Sequence, residues 1–333
     1  MIAGLDPLYV KTRPTKIAPR LISYALFEGR PPAARGKWIN PLVFAHFALE
    51  MRLPQLKGVE KPIFIIGMGR SGSTILGVLM SMHRDVGFLN EPKALWHAVY
   101  PHEDVPGTYS RGPARYSLDE SAATEEVRRR AQRLFGAYLW AVASSRVVDK
   151  YPELIFRVPF VRAIFPDAQF IFLVRNGWDT CRSIDKFAEQ KGVSKPGGGG
   201  IHNWWGTNNR KWKLILEQLV PKEEALADIL DMVEGLKRHS DMAAVEWIVT
   251  MREGLRQMER YPNCVHMLHY ESLLSDPRKE LSELLDFCEL PHDEVFLEFG
   301  ERRLSPPAPK HKPLELFPAL RAPFVETMEA LGY

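Results

Sequence analysis

Cysteine is scarce in this chain: Cys181, Cys264 and Cys288 are the only three among 333 residues, and no two form a C-x-x-C pair. That excludes a disulfide framework and a thiolate metal site, and points to a reducing compartment. Metal-ligand spacings such as H-E-x-x-H are also missing, so no metal is expected. No run of about 18 apolar residues is present to span a bilayer. Asp6 and Pro7 interrupt Met1–Pro14, where a secretory signal needs continuous apolar residues. The expectation is a cytoplasmic protein without a transmembrane segment. A large excess of either charge is lacking too. The formal net charge of +3 is too mild for a chain built to neutralise a nucleic-acid backbone, so no nucleic-acid partner is expected.

What is there suits a sizeable core: 45% hydrophobic and 26% charged residues are ordinary for a globular protein, and no internal repeat interrupts it. Residues 1–60 read as an N-terminal extension packed on a core domain at 61–333, with an insertion or lid at about 189–240. The extension carries Lys11, Arg13, Lys16, Arg20, Arg30, Arg35 and Lys37 against Asp6 and Glu28. Such a run reads first as a solvated extension laid over the domain. Contact with an anionic surface or with a second subunit, as in a homodimer, is the alternative.

Short β-rich runs alternate with segments of helical period, the pattern of a parallel sheet with helices on both faces. Strands are expected at Ile63–Ile66, Val86–Leu89, Arg146–Asp149, Phe170–Val174 and Val265–Leu268. Helices are expected over Glu125–Ser144, where Val127, Ala131, Leu134, Tyr138 and Val142 recur at steps of three or four, and over Met242–Glu259. Asp276-Pro277 opens a third, with Asp as cap and Leu281, Leu284, Leu285 and Cys288 as its buried face. Gly192–Thr207 reads as a flexible hinge, through Gly197–Gly200, feeding an aromatic cluster. Ser305–Pro318, with five prolines around Lys310, His311 and Lys312, reads as extended.

The strand at Ile63–Ile66 runs into Gly67-Met68-Gly69-Arg70-Ser71-Gly72-Ser73-Thr74. The spacing nearly fits the phosphate-loop pattern G-x-x-x-x-G-K-[ST], but Ser73 stands where the lysine belongs. Unpaired amides and the positive end of the following helix favour an anion there, and Arg70 adds a guanidinium that grips phosphate-type oxygens. A second strand, Phe170–Val174, ends in Arg175 instead of the magnesium-holding aspartate of a nucleotidase, and Ser183 follows eight residues later on a helix expected to be capped near Asp179.

Together these segments resemble the sulfotransferase family that uses 3′-phosphoadenosine 5′-phosphosulfate (PAPS), and are closer to its carbohydrate and bacterial type than to its cytosolic phenol and steroid type. Gly67–Thr74 is similar to the family's 5′-phosphosulfate loop, and Leu173-Val174-Arg175-Asn176 with Ser183 to its 3′-phosphate site. Phe88–Pro92, Asp149–Pro152 with Phe165–Ala168, Tyr270–Pro277 and Met328–Tyr333 agree with it, so the likeness runs from about Pro62 to the end. The resemblance implies a three-layer α/β/α fold with a central parallel sheet and a P-loop. It implies PAPS as co-substrate, the 3′,5′-bisphosphate PAP as product, and no metal. Carried onto this chain, Arg70, Ser71, Gly72, Ser73 and Thr74 would hold the 5′ end, and Arg175 and Ser183 the 3′-phosphate.

A hydroxyl acceptor must lose its proton, so a general base is needed within reach of it. Glu91, in a segment that resembles the Glu-Pro segment of carbohydrate-type enzymes, is the first candidate; His97 and His102 are the alternatives. Lys150 matches the lysine of the phenol and steroid branch, but Tyr151-Pro152 follows it where that branch has its histidine. With Arg70 it is the candidate for stabilising the leaving oxygen. Trp204, Trp205 and Trp212 are candidates for an acceptor lid, and Lys310–Lys312 for a basic loop closing over the nucleotide. The expected function is sulfuryl transfer from PAPS to a hydroxyl of a small molecule, lipid or carbohydrate. A P-loop kinase of a small molecule and a non-catalytic 3′-phosphonucleotide-binding protein are the alternatives.

Overall fold

The computed structural model describes residues 2–31, 36–110, 112–194, 200–202, 204–306 and 313–333, with the backbone alone for residues 191–194 and 200–202. Arg35, Gly197, Gly198, Gly199, Asn203 and the Lys310–Lys312 segment, all singled out above, lie outside the described residues.

Five parallel strands form the central sheet: β1 (Ile63–Gly67), β2 (Val86–Asn90), β3 (Arg146–Lys150), β4 (Gln169–Val174) and β5 (Val265–His269). Their spatial order is β2-β3-β1-β4-β5. β1 and β4, inside the sheet and buried throughout, run as apolar series because both of their faces are covered. Phe64, Ile66, Phe170 and Phe172 join one buried cluster, and Ile63, Ile65, Ile171 and Leu173 join a second on the opposite face. The two-residue period of a strand divides a continuous apolar run between two cores. The three-layer α/β expectation therefore holds.

The helices that matter for the site are α1 (Ser73–Ser81), α2 (Lys93–Val99), α3 (Glu125–Ala141), α4 (Gly177–Lys191), α5 (Arg210–Gln218), α6 (His239–Arg260), α7 (Pro277–Phe287) and α8 (Pro318–Ala330). In α3, Thr124 caps the first turn by accepting from the Val127 amide, and Val127, Ala131, Leu134 and Tyr138 are buried as their spacing predicts. Asp276 caps α7 through the Lys279 amide. For α4 the expected cap is corrected. The Asn176 side chain accepts from the amides of Trp178 and Asp179, so the cap lies three residues before Asp179 and two past the end of β4. Among the described residues no helix is long and apolar enough to cross a membrane.

Two expectations change outside the sheet. The basic N-terminal run is a solvated layer only in part: Lys11 and Lys37 are exposed. Lys16, Arg20 and Arg30 are buried, Lys16 donates to the carbonyls of Arg84 and Val86, and Arg20 pairs with Glu28 at 2.5 Å. Glu28 in turn accepts from the Asn90 amide at 2.9 Å, which ties this segment to the end of β2. Within Gly192–Thr207, read above as a hinge, the described residues Gly192–Ser194, Gly200–His202 and Gly206–Thr207 pair as a small antiparallel sheet, while Gly197–Gly199 lie outside them.

Candidate active site

Register brings the carboxyl ends of the strands level. Gly67 stands beside Leu173, Asn90 beside Lys150, and Val174 beside His269. The residues immediately beyond these ends are Met68, Glu91, Tyr151, Arg175 and Tyr270, so segments far apart in sequence converge on one edge, where open α/β sheets bind ligands.

The phosphate loop is shaped by conformations that side chains resist. Gly67 and Gly72 have φ of +130° and +92°, and Arg70 adopts +69° although it is not glycine. A Cβ at Gly72 would lie 2.3 Å from the Tyr270 ring, and one at Gly69 would lie 2.7 Å from the Trp204 ring. The loop is thus clasped by two aromatic rings. The Ser71 hydroxyl is fully buried and has no hydrogen-bond partner, an orphan group suited to an incoming oxygen. The free amides at the start of α1 share the same space.

Arg70 Nε donates to Ser183 Oγ at 3.1 Å, and Arg175 Nη1 donates to the Arg70 carbonyl at 3.0 Å. The two motifs, more than a hundred residues apart in sequence, are thereby joined. The Arg175 guanidinium lies 5.0 Å from the Tyr270 ring centroid, and that of Arg70 lies 5.2 Å from Phe187. Among the described residues neither arginine pairs with a carboxylate, so both cations are available to an anion. A cavity of about 790 Å³ opens beside Arg175, lined by Asn176, Trp178, Tyr270 and Tyr333. These residues fit a phosphosulfate carrying a second phosphate: orphan hydroxyl, glycine cradle and two uncommitted guanidinium groups.

Glu91 also has a left-handed backbone, with φ of +52°, and its amide donates to the Lys150 carbonyl at 2.7 Å. Its carboxylate meets Lys150 Nζ at 2.5 Å and Lys93 Nζ at 3.6 Å, while 41% of the side chain faces open space. Burial would raise this carboxyl, but the charges of Lys150 and then Lys93 outweigh it and hold the pKa at about 2. Lys150 itself is buried at the end of β3. Among the described residues, a cavity of about 190 Å³ joins Gly67–Arg70, Ser73 and Thr74 to Glu91.

The structure therefore gathers Glu91, Arg70, Lys150, Ser71, Gly72, Ser73, Thr74, Arg175 and Ser183 at one sheet edge. It does not bring His97 or His102 to the cavities that hold Glu91. His97 packs against Phe44 and Tyr109, and His102 is exposed. The tryptophan trio separates: Trp205 and Trp212 are core residues, and Trp204 alone lines the cavity. Buried aromatic area fixed the first two, which is why a lid of three is corrected to a wall of one. Sequence reasoning missed Lys93, Glu153, Lys211 and Glu246, all on the cavity wall. Lys93 was within sight, two residues past Glu91. Lys211 and Glu246 lie on α5 and α6 outside any motif and gave no signal.

Residues 62–221 match the model of the sulfotransferase family. The chain is 22% identical over 250 residues to a putative protein-tyrosine sulfotransferase of Caenorhabditis briggsae, covering 74% of this chain and 71% of that protein. It is 29% identical over 243 residues to protein-tyrosine sulfotransferase 1 of Danio rerio, covering 72% and 56%. Among solved structures, the sulfotransferase domain of the Synechococcus PCC 7002 olefin synthase aligns with a TM-score of 0.47 at 18% identity, covering 84% of this chain and 97% of that domain. The matched regions span between 27% and 71% of the curated relatives' own lengths. Through residues 62–221, the chain is similar to the sulfotransferase family.

Proposed function

We propose that this protein transfers the sulfuryl group of PAPS to a hydroxyl acceptor. The observation that carries the reading is the join between Arg70, Ser183 and Arg175, which would offer a second phosphate its own site of cation and hydroxyl beside the phosphate loop. A nucleotide bearing only a 5′ phosphate chain has no use for that second site. Ser71, Ser73, Thr74 and the loop amides hold the 5′ end in this reading, and Arg175 with Ser183 holds the 3′-phosphate. When bound, the donor supplies the sulfuryl group, and PAP is the product that departs.

Glu91 acts as general base on the acceptor hydroxyl. A carboxyl held at about 2 is fully ionised at neutral pH yet weakly basic, because Lys150 and Lys93 stabilise its charge. Its basicity rises when Lys150 shares its charge with another oxygen at the site. Lys150 and Arg70 together supply preorganised positive charge where the leaving oxygen develops negative charge.

Calorimetry with 3′,5′-ADP and 5′-AMP tests the donor assignment. The expected result is tighter binding of 3′,5′-ADP, with Arg175→Ala erasing about 1.5–3 kcal/mol of that preference, a factor of roughly ten to a hundred. Equal binding of the two nucleotides, or an unchanged preference in Arg175→Ala, would falsify the assignment.

A further inference from the structure

Two segments of the sequence resemblance, Tyr270–Pro277 and Met328–Tyr333, take no part in the chemistry proposed above. Both lie beyond residue 221, where the match to the family model ends. The structure brings them together behind Arg175. Tyr270 and Glu271 follow β5 directly, level with the end of β4. The Tyr270 ring lies under Arg175, while Glu271 reaches the next residue along. Glu271 Oε1 accepts from the Asn176 amide at 3.0 Å, and its Oε2 accepts from the Tyr333 hydroxyl at 2.6 Å.

Asn176 is the joint between the cation and the helix. Its side chain accepts from the Trp178 and Asp179 amides, and its carbonyl accepts from the Thr180 amide and hydroxyl, both at 3.0 Å. These bonds are local, so they tie the first turn of α4 to Asn176 and to nothing else. The backbone amide is the group among them that reaches outside the segment, and it ends on Glu271. Arg175 precedes this joint, and Ser183 stands about two turns along the helix that starts from it. The Glu271 bond therefore governs how guanidinium and hydroxyl meet.

Packing backs the same joint. A Cβ at Gly177 would lie 2.6 Å from the Phe324 ring and 3.0 Å from Met328 Sδ and the Trp247 ring, and the Trp178 and Phe324 ring centroids are 4.4 Å apart. α8 thus lies against the first turn of α4 and carries Tyr333 to Glu271. A carboxylate meets the need here because it offers an oxygen to each of two donors. An apolar side chain would leave the Asn176 amide and the Tyr333 hydroxyl unpaired. Burial and the Glu271 charge hold the Tyr333 phenol above its ordinary pKa, so it remains a donor through the neutral range.

We propose that Glu271, latched by Tyr333, is a positioning residue for the donor: it fixes the Asn176 joint so that Arg175 and Ser183 converge on the nucleotide's 3′-phosphate. This rests on the sulfuryl-transfer reading above. Glu271 acts through Asn176 and not on the nucleotide itself.

Calorimetry separates this role from general packing, because 5′-AMP lacks the 3′-phosphate and reports on the rest of the site. Glu271→Leu keeps the bulk of the side chain and removes both acceptors. It should lower 3′,5′-ADP affinity by about tenfold while leaving 5′-AMP affinity within about twofold. In Glu271→Gln the side-chain carbonyl still accepts from Asn176 and the amide can donate to the Tyr333 oxygen, so 3′,5′-ADP affinity should stay within about twofold. Tyr333→Phe, the mildest change, releases the latch alone and should lower that affinity by roughly fivefold. It decides the matter where Glu271→Leu does not fold. An unchanged preference for 3′,5′-ADP in folded Glu271→Leu or in Tyr333→Phe overturns the proposal. So does an equal fall in affinity for both nucleotides, which would mark lost packing, or a loss in Glu271→Gln as large as in Glu271→Leu. Equal binding of the two nucleotides by the unaltered protein overturns the donor reading beneath it.

Discussion

The two sides of the candidate site are built on opposite plans. The donor side leaves its polar groups uncommitted: Ser71 Oγ has no partner, and among the described residues Arg70 and Arg175 pair with no carboxylate. The acceptor side binds its charges to one another, through Lys150–Glu91–Lys93–Glu153 and through Lys211–Glu246–Trp204. Uncommitted cations suit a ligand that arrives with its own negative charge. Paired charges suit a neutral ligand that must slip between donor and acceptor groups without disturbing net charge. Glu91 stands at the seam, touching Lys150 on one side and Lys93 on the other.

Glu91→Gln separates the two sides most sharply. Replacing a general base typically lowers the rate by about 10²- to 10⁴-fold, so steady-state transfer should lose kcat on that scale. Binding of 3′,5′-ADP, which depends on groups across the seam, should stay within about threefold. If calorimetry finds nucleotide affinity falling as far as kcat, the two sides are not independent and the comparison fails.

The sequence was more informative on the donor side, and the reason is local. Strand, loop and helix follow one another at residues 61–81, so apolar run, glycine spacing and anion cradle can be read in order. All five strands of the central sheet lie within one residue of their expected ends; β1 and β4, buried throughout, are near-continuous apolar runs, whereas β3 and β5 interleave apolar residues with Asp149, Lys150, His266 and His269. Left-handed backbone at Arg70 and Glu91 leaves no such mark, since neither is glycine. The acceptor wall was nearly invisible. Lys211 sits in a helix where a lysine ordinarily faces water, and only tertiary packing against Glu246 and Trp204 buries it. The N-terminal basic run misled for the same reason: Arg20 is buried by a partner eight residues away, Glu28, that no spacing rule singles out.

A smaller effect is expected from a change confined to the donor cradle. Gly72→Ala places a methyl group at φ of +92° and 2.3 Å from the Tyr270 ring, the ring beneath Arg175. Strain of about 1–3 kcal/mol at such a backbone position should weaken 3′,5′-ADP binding by roughly tenfold to a hundredfold. The acceptor KM should not follow. Unchanged nucleotide affinity in a folded Gly72→Ala protein would show that Tyr270 does not shape the loop.

Lys150→Met tests the seam by pH. The Glu91 carboxyl lies near 2, below its ordinary 4.5, so it is ionised throughout the neutral and mildly acidic range and protonates only as pH falls toward 2. Its contribution to stability is likewise complete above about 4.5 and is lost on further acidification. Removing Lys150 deletes the largest opposing charge while Lys93 stays in place, so the pKa rises toward its ordinary value. The acid limb of kcat/KM should therefore move upward by roughly one to two units. Coincident acid limbs in the two proteins would remove Lys150 from control of the base, whatever the variant does to kcat.

Salt gives the mildest and most general contrast. Arg70 is exposed and Arg175 half-buried, so an anion they hold interacts partly through solvent. Raising ionic strength from about 0.1 M to 1 M shortens the screening length from about 10 Å to 3 Å. The 3′,5′-ADP dissociation constant should rise several-fold over that range. Lys211 and Glu246 are shielded from ions by burial and already neutralise each other, so the acceptor KM should change by less than about twofold. Parallel salt dependence of the two constants would mean that the acceptor also arrives as an anion. The paired wall would then have to open one of its lysines to receive it, which a neutral acceptor does not require.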